Sequence, residues 1–228
     1  MVSINNDMIN YIDQLLGVVE AKDWTTFEAI ALGNPRVFQL VSNQISSFPE
    51  FNSMTLLHAC VRYNPPVHMI AQMIDLCPHL TGARDCLDRT PLHVAAGTGA
   101  SASLIMLLAR ACPSACTVLD EDGRTPLHLA CDISCELFED EDNIEPRRSP
   151  CHATIRELLS HSLHAASLED DEGTSPLEYA IISDASIEVV CLLQKATQTQ
   201  IMKKSSLRTL SPDDLSVQQR HLVGPVHS

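Results

Sequence analysis

Histidine recurs in this chain at a fixed interval. His58, His93 and His128 stand 35 residues apart, each at the end of a Thr-x-Leu-His segment. An imidazole ionises near neutral pH and can serve as a general base or a metal ligand, so such a row could form a ladder of bases or a string of metal sites. Catalysis needs more than a row. A nucleophile, an acid or an oxyanion donor must converge on one pocket, whereas a repeating element spreads identical residues along a line. No G-x-S-x-G, H-E-x-x-H, P-loop or G-x-G-x-x-G segment occurs. No catalytic residue and no cofactor is expected, and the chain is read as a non-enzyme.

Cysteine offers a second chemistry. Cys112 and Cys116 are four apart, as are Cys131 and Cys135, and Cys151 is followed by His152. Cys135, Cys151 and His152 could therefore clip a zinc ion or form a redox bridge. There is no C-x-x-C pair, and no metal is expected. Cys60 and Cys131 occupy alanine-like places of short helices, and Cys191 sits within VVCLL, so all three read as buried thiols that behave as small hydrophobes. Cys86 falls at a turn tip, where it would be reactive if a neighbour lowered its pKa. The nine cysteines are an odd number without dense spacing, which favours free thiols in a reducing compartment.

The elements that carry these residues follow from composition and period. The 228 residues are 45% hydrophobic but include only one Trp, three Tyr and five Phe, so thin aliphatic layers are expected in place of one bulky core. The formal charge of −14 disfavours nucleic acid phosphates and anionic lipid, and no stretch approaches the ~20 apolar residues of a membrane span. The start, MVSINNDMINYIDQLLG, lacks the basic and apolar order of a secretory signal. A soluble, cytoplasmic monomer is the expectation, with a nuclear residence left open.

Laid on itself at 35 residues, the chain aligns Thr55-Leu56-Leu57-His58 with Thr90-Pro91-Leu92-His93 and Thr125-Pro126-Leu127-His128. A fourth copy, Ser175-Pro176-Leu177-Glu178, follows after 50. Cys77-Pro78 and Cys112-Pro113 repeat the same period behind the apolar runs VHMIAQMIDL and ASLIMLLARA. Thr before Pro starts a helix, because its hydroxyl can satisfy an orphan amide while Pro presets the first turn. Leu92, Ala95 and Ala96 line one face of a short inner helix, and Leu104, Leu107 and Leu108 line one face of an outer helix. Pro113 stops the outer helix, and DEDGR or DDEGT turns the chain back, with Gly123 and Gly173 free to take positive φ. Neither helix is long enough to stand alone, so stacking must supply the core.

DEDGRTPLHLAC from Asp120 and DCLDRTPLHVAA from Asp85 resemble the D-x-x-G-x-T-P-L-H-x-A-A pattern of ankyrin repeats; DDEGTSPLEYAI from Asp170 and EFNSMTLLHACV from Glu50 are degenerate versions. The resemblance implies an all-α solenoid of helix-turn-helix units joined by β-hairpin loops. The expected units are residues 50–84, 85–119, 120–169 and 170–197, with a helical cap or degenerate repeat over 1–49 and a polar tail or loose capping helix over 198–228. The motif residues Thr55, His58, Thr90, Pro91, His93, Thr125, Pro126, His128 and Pro176 are then structural, and the histidines are implied to bond backbone groups between units.

Such stacks are implied to bind protein partners through turn tips and the exposed ends of inner helices. Carried onto this chain, the partner face comprises Phe51, Met54, Leu87, Arg89, Glu121, Asp122, Arg124, Asp171 and Glu172 at tips, with Arg62, Tyr63, Asp132 and Ile133 on inner helices. Apolar anchors gather at one end and carboxylates at the other, which suits a protein partner with a basic segment. The function expected is a scaffold or adaptor; the alternatives are a regulatory or targeting subunit of an enzyme complex and a thiol or metal sensor. The segment Cys135–Pro150, rich in acids, reads as a solvated loop or an acidic docking segment. Ser205 and Ser206 follow two lysines and Ser211 precedes Pro212, where phosphorylation would reverse the local charge.

Overall fold

The computed structural model describes residues 2–45, 52–134 and 149–209. Eleven α-helices occur among them, in chain order α1 Val2–Glu20, α2 Trp24–Phe27, α3 Pro35–Gln44, α4 Leu56–Arg62, α5 Val67–Leu76, α6 Pro91–Gly97, α7 Ala102–Ala111, α8 Pro126–Cys131, α9 His152–His161, α10 Pro176–Ile182 and α11 Ile187–Thr209. Helices α4, α6, α8 and α10 are the short inner ones, each packed on the next. Helices α5, α7, α9 and α11 form a second layer, packed on one another in the same order. The result is an all-α, repeat-like solenoid.

Local chemistry sets each boundary. Thr55, Thr90, Thr125 and Ser175 are extended at the N-cap and form a capping box with the residue three further on. After the inner helices Asn64, Gly99 and Asp184 take φ of +48°, +70° and +50°, which turns the chain back towards the outer helix. The equivalent exit from α8 is different: Asp132 is extended, and the chain leaves towards the insertion. Cys77, Cys112 and Ser162 end the outer helices, and one 3-10 turn follows each, at Pro78–Gly82, Pro113–Thr117 and Leu163–Ser167. At the matching place within α11 the chain has Gln198, and the helix runs on to Thr209.

The core is one continuous layer of small and aliphatic side chains between the helices, including Leu57, Ile70, Leu92, Ile105, Leu127, Ile155 and Leu193. Alanines at 59, 95, 96 and 180 are buried in the inner helices, where a larger side chain would hold the layers apart. At the first end, Ile12, Leu15, Phe27 and Phe38 of α1 to α3 extend the same core. There α2 continues into a single π turn, Glu28–Leu32, closed by the Gly33 amide donating to Glu28 O at 2.9 Å.

The β-hairpin loops expected between units are not β structure among the described residues. Each loop is a tight turn closed by two backbone bonds: Asp85 N to Arg89 O at 3.0 Å with Asp88 N to Asp85 O at 3.1 Å, Asp120 N to Arg124 O at 2.9 Å with Gly123 N to Asp120 O at 3.1 Å, and Asp170 N to Thr174 O at 3.1 Å with Gly173 N to Asp170 O at 3.0 Å. Adjacent turns share a single further bond, so no ladder long enough to make a strand can form. Of the insertion expected at 135–150, residues 135–148 lie outside the described residues, as do the residues from 210 onward.

Candidate interaction surface

The recurring histidines are wholly buried, with 0% exposure at His58, His93 and His128. Their geometry explains why. His93 Nδ1 accepts from the Thr90 amide at 3.0 Å and lies 2.9 Å from the Thr90 hydroxyl, so both donors of the N-cap point at one ring nitrogen. The proton is therefore on Nε2, which donates to Arg124 O in the next turn at 3.2 Å. His58 makes the same set, to Thr55 at 3.3 and 2.9 Å and to Arg89 O at 3.0 Å. Burial holds both imidazoles well below the usual value of 6.5, to about 4. They are neutral braces between units, and a buried neutral ring with both nitrogens engaged has no lone pair to offer a metal or substrate.

The third junction departs from this rule. His128 Nδ1 accepts from Thr125 at 3.0 Å, but its buried Nε2 has no hydrogen-bond partner among the described residues. Its ring stands edge-on to Tyr179, with centroids 6.1 Å apart. In the last unit Glu178 replaces histidine, and its carboxylate accepts from the Ser175 amide at 2.8 Å and hydroxyl at 2.7 Å. A carboxylate can complete the capping box but has no proton to donate onward.

Each turn is organised by its first aspartate. Asp85 Oδ1 accepts from the Leu87 and Arg89 amides at 3.0 and 2.9 Å, and Oδ2 meets Arg89 Nε and Nη2, both at 2.8 Å. Asp120 repeats the pattern with the amides of Asp122 and Arg124 at 3.1 and 2.8 Å, and with Arg124 Nε at 3.2 Å. At Asp170 the arginine is replaced by Thr174, and Tyr179 Oη donates to the free carboxylate oxygen at 2.7 Å. Burial works against ionisation at Asp170, but the bonds from Tyr179, Thr174 and Glu172 outweigh it and hold its pKa low. Burial raises Asp120.

Successive tips are tied by one backbone bond each: Cys86 N to Asn52 O at 3.0 Å, Glu121 N to Leu87 O at 3.1 Å and Asp171 N to Asp122 O at 3.1 Å. Gly123 permits the last of these, since a Cβ there would stand 2.5 Å from Asp171 Oδ1. The tips thus form a fixed rib.

Glu121, Asp122, Asp171 and Glu172 are exposed along the rib, and Met54 and Leu87 are half-buried. Tyr63 is half-buried at the end of α4, with the Arg62 guanidinium 5.2 Å and the Lys22 ammonium 5.6 Å from its ring centre. Burial lowers the Arg62 pKa, opposed by Tyr63 and Glu20. Arg89 is turned inward, 8% exposed against Asp85, and Arg124 is held by Asp120 and Asp122. Asp132 Oδ1 accepts from the Ser134 amide at 2.8 Å, and the Ile133 amide donates to Ser183 Oγ at 3.1 Å. Phe51 lies outside the described residues. The i,i+4 Asp–Arg spacing in DCLDR and DEDGR was the signal for the inward arginines.

The cysteines divide by exposure. Cys60, Cys77, Cys116 and Cys131 are buried, Cys112 is half-buried, and Cys86, Cys151 and Cys191 are exposed, all as free thiols. Cys191 differs from expectation because helical phase turns Val189, Leu193 and Ala196 inward and leaves position 191 on the far side. Among the described residues no group of three or more His, Cys, Asp or Glu could hold a metal ion, and no helix is long and apolar enough to cross a membrane.

Comparison with known families agrees with the geometry. Residues 79–130 match the family described as ankyrin repeats (many copies), and an ankyrin-repeat domain is present there. No curated protein matches the chain.

Proposed function

We propose that this ankyrin-repeat chain is a non-catalytic adaptor that holds a partner protein against the rib of turn tips and the adjoining ends of the inner helices. The observation that carries the reading is the rib itself. Backbone bonds at 3.0 to 3.1 Å lock successive tips at a fixed spacing, while Glu121, Asp122, Asp171 and Glu172 on them remain exposed. A preordered surface loses little conformational freedom on binding. We read residues 50–84, 85–119, 120–169 and 170–197 as the units that carry it.

The partner is a protein with a basic segment. Glu121, Asp122, Asp171 and Glu172 steer that segment, and Met54, Tyr63 and Leu87 supply apolar contact beyond it. Cysteine usage supports a reducing, cytoplasmic setting. Crosslinking in cells followed by mass spectrometry identifies the partner, and two variant sets test the face. Reversing all four acids to lysine is expected to weaken the complex at least about tenfold and to abolish its salt dependence. Met54→Ala with Tyr63→Ala is expected to weaken it by a similar factor. Retention of the partner by both sets, with folding intact by circular dichroism, overturns the reading.

A further inference from the structure

Helix α11 outruns the stack it belongs to. Val189, Leu193 and Ala196 are buried against the core, and Thr197 Oγ1 donates to Ala166 O at 3.0 Å. Beyond that bond the side chains turn to solvent: Gln198 and Thr199 are exposed, as is every residue from Ile201 to Ser206. A helix of about a dozen residues with so little packing is marginal in water. Thr199, Ser205 and Ser206 weaken it further, because each bonds its hydroxyl back to a carbonyl of the preceding turn, Lys195 O at 2.7 Å and Met202 O at 2.8 and 2.9 Å. This end of α11 can unwind without disturbing the core.

The same stretch opposes the charge of the chain. The formal charge is −14 overall, yet residues 189–209 hold Lys195, Lys203, Lys204 and Arg208 and no carboxylate. Lys203 and Lys204 stand three and two residues before Ser206, and no other serine or threonine of the sequence has a cation at both places. Both lysines and the serine are exposed. Two cations at that spacing suit the carboxylate-lined groove of a basic-directed serine kinase. Such a groove takes its substrate extended, so the acceptor must lie where a helix can open.

We propose that Ser206 is a phosphorylation site and that its phosphate unwinds the end of α11, separately from the partner face of the tips. In the transfer, Ser206 Oγ bonds to the γ-phosphorus of magnesium-bound ATP and the bond from that phosphorus to the bridging oxygen breaks. ADP leaves with the electron pair, and the hydroxyl proton passes to the catalytic carboxylate of the kinase. The product carries a charge of about −1.5 to −2. The hydroxyl bond to Met202 O is lost, and the new charge stands in the last turn, beside carbonyls at the negative end of the helix dipole. Lys203, one turn earlier, meets it only in the weaker cation-before-anion order. The phosphate therefore favours the unwound chain.

Incubation of the full chain with magnesium, ATP and the catalytic subunit of cyclic-AMP-dependent protein kinase, a basic-directed enzyme, tests the site. Mass spectrometry is expected to map the first phosphate to Ser206. Ser206→Ala should abolish that transfer and Ser205→Ala should leave it, while Lys203→Ala with Lys204→Ala lowers kcat/KM at least about tenfold. All four positions are exposed, and unaltered thermal unfolding shows that each variant is folded. Amide hydrogen exchange of the phosphorylated chain should quicken across residues 198–209 and stay unchanged in α4 to α9. Chain purified from its own cells with phosphatases inhibited should carry the same phosphate. A first phosphate elsewhere, transfer indifferent to the lysines, exchange unchanged or slowed over residues 198–209, or a native chain bare at Ser206 overturns the proposal.

Discussion

His93 binds in two directions, accepting at Nδ1 from the Thr90 amide 3.0 Å away and donating from Nε2 to Arg124 O 3.2 Å away, so one side chain caps its own helix and ties the next turn to it. His128 makes the first contact and lacks the second. Truncation should therefore cost different amounts at the two sites. His93→Ala loses the cap, the bridge and the packing, for about 3 to 4 kcal/mol, and His128→Ala is expected to cost about 1 kcal/mol less. Urea unfolding of the two variants checks this. Equal losses would mean that the bridge contributes nothing.

The buried imidazoles make stability depend on pH. The folded-state values of His58 and His93 lie near 4, below the ordinary value of 6.5, because burial opposes their charging. As pH falls below 6.5 the unfolded chain takes up these protons first. Their stabilisation is full above that pH, declines between 6.5 and 4, and is gone below. The loss is on the order of 3 kcal/mol for each histidine. Urea midpoints at pH 7.5, 6 and 5 should fall in that order, and the decline should be shallower in His93→Gln. A flat profile above pH 5 would contradict it.

Gly123 and Gly173 separate strain from contact. Both have positive φ, +74° and +78°, but a Cβ at Gly123 would strike Asp171 and one at Gly173 would meet nothing within 4 Å. Gly173→Ala is expected to cost about 1 kcal/mol from backbone strain, and Gly123→Ala about 2 to 4 kcal/mol because the tip bond must also shift. Asp88 holds the same kind of turn at φ +56° without being glycine, and Asp88→Gly should be neutral or stabilise by a few tenths. Thermal unfolding ranks the three.

The repeat was legible because each capping residue acts within three positions of itself. Thr-Pro starts, Cys-Pro stops and the positive-φ turn positions are local chemistry, and the 35-residue period gave their stacking. Three things were not legible, each because it depends on packing. The direction of Arg89 and Arg124 is set by an aspartate four residues earlier whose carboxylate is itself buried by the stack, so the Asp–Arg spacing alone did not separate an inward arginine from an exposed one. The exposure of Cys191 depends on helical phase against a neighbour. The run of α11 past Ala196 has no such local marker: Gln198 stands where Pro78 and Pro113 follow the earlier helices, but α9 stops before Leu163 without a proline.

Arg89 is a stability residue in consequence, and this bears on any binding experiment. It is buried, and its removal would leave Asp85 buried with its two amide donors alone. Arg89→Ala is expected to destabilise the chain by about 2 to 4 kcal/mol. Arg124→Ala, at a half-buried pair, should cost about 1 kcal/mol less after allowance for solvent screening. Partner affinity of either variant, measured well below its unfolding midpoint, should change less than twofold. A large affinity loss with unaltered stability would instead make Arg89 a contact.

Thiol labelling reads the same packing from another side. Burial raises the pKa of Cys60 and Cys131 far above the ordinary thiol, and pushes Cys116 up to about 11. Only the thiolate reacts, so these three should stay unmodified in the native state however long the reagent is present, short of unfolding. Cys151 caps α9; burial opposes its ionisation, but the amides of Thr154 and Ala153 and the Thr154 hydroxyl outweigh that and lower its pKa. Among the exposed thiols it should be alkylated first at pH 7.5, ahead of Cys86 and Cys191. Peptide mapping over a time course gives the order. Modification of Cys60 or Cys131 before Cys86 would show that the inner helices open far more readily than their packing allows.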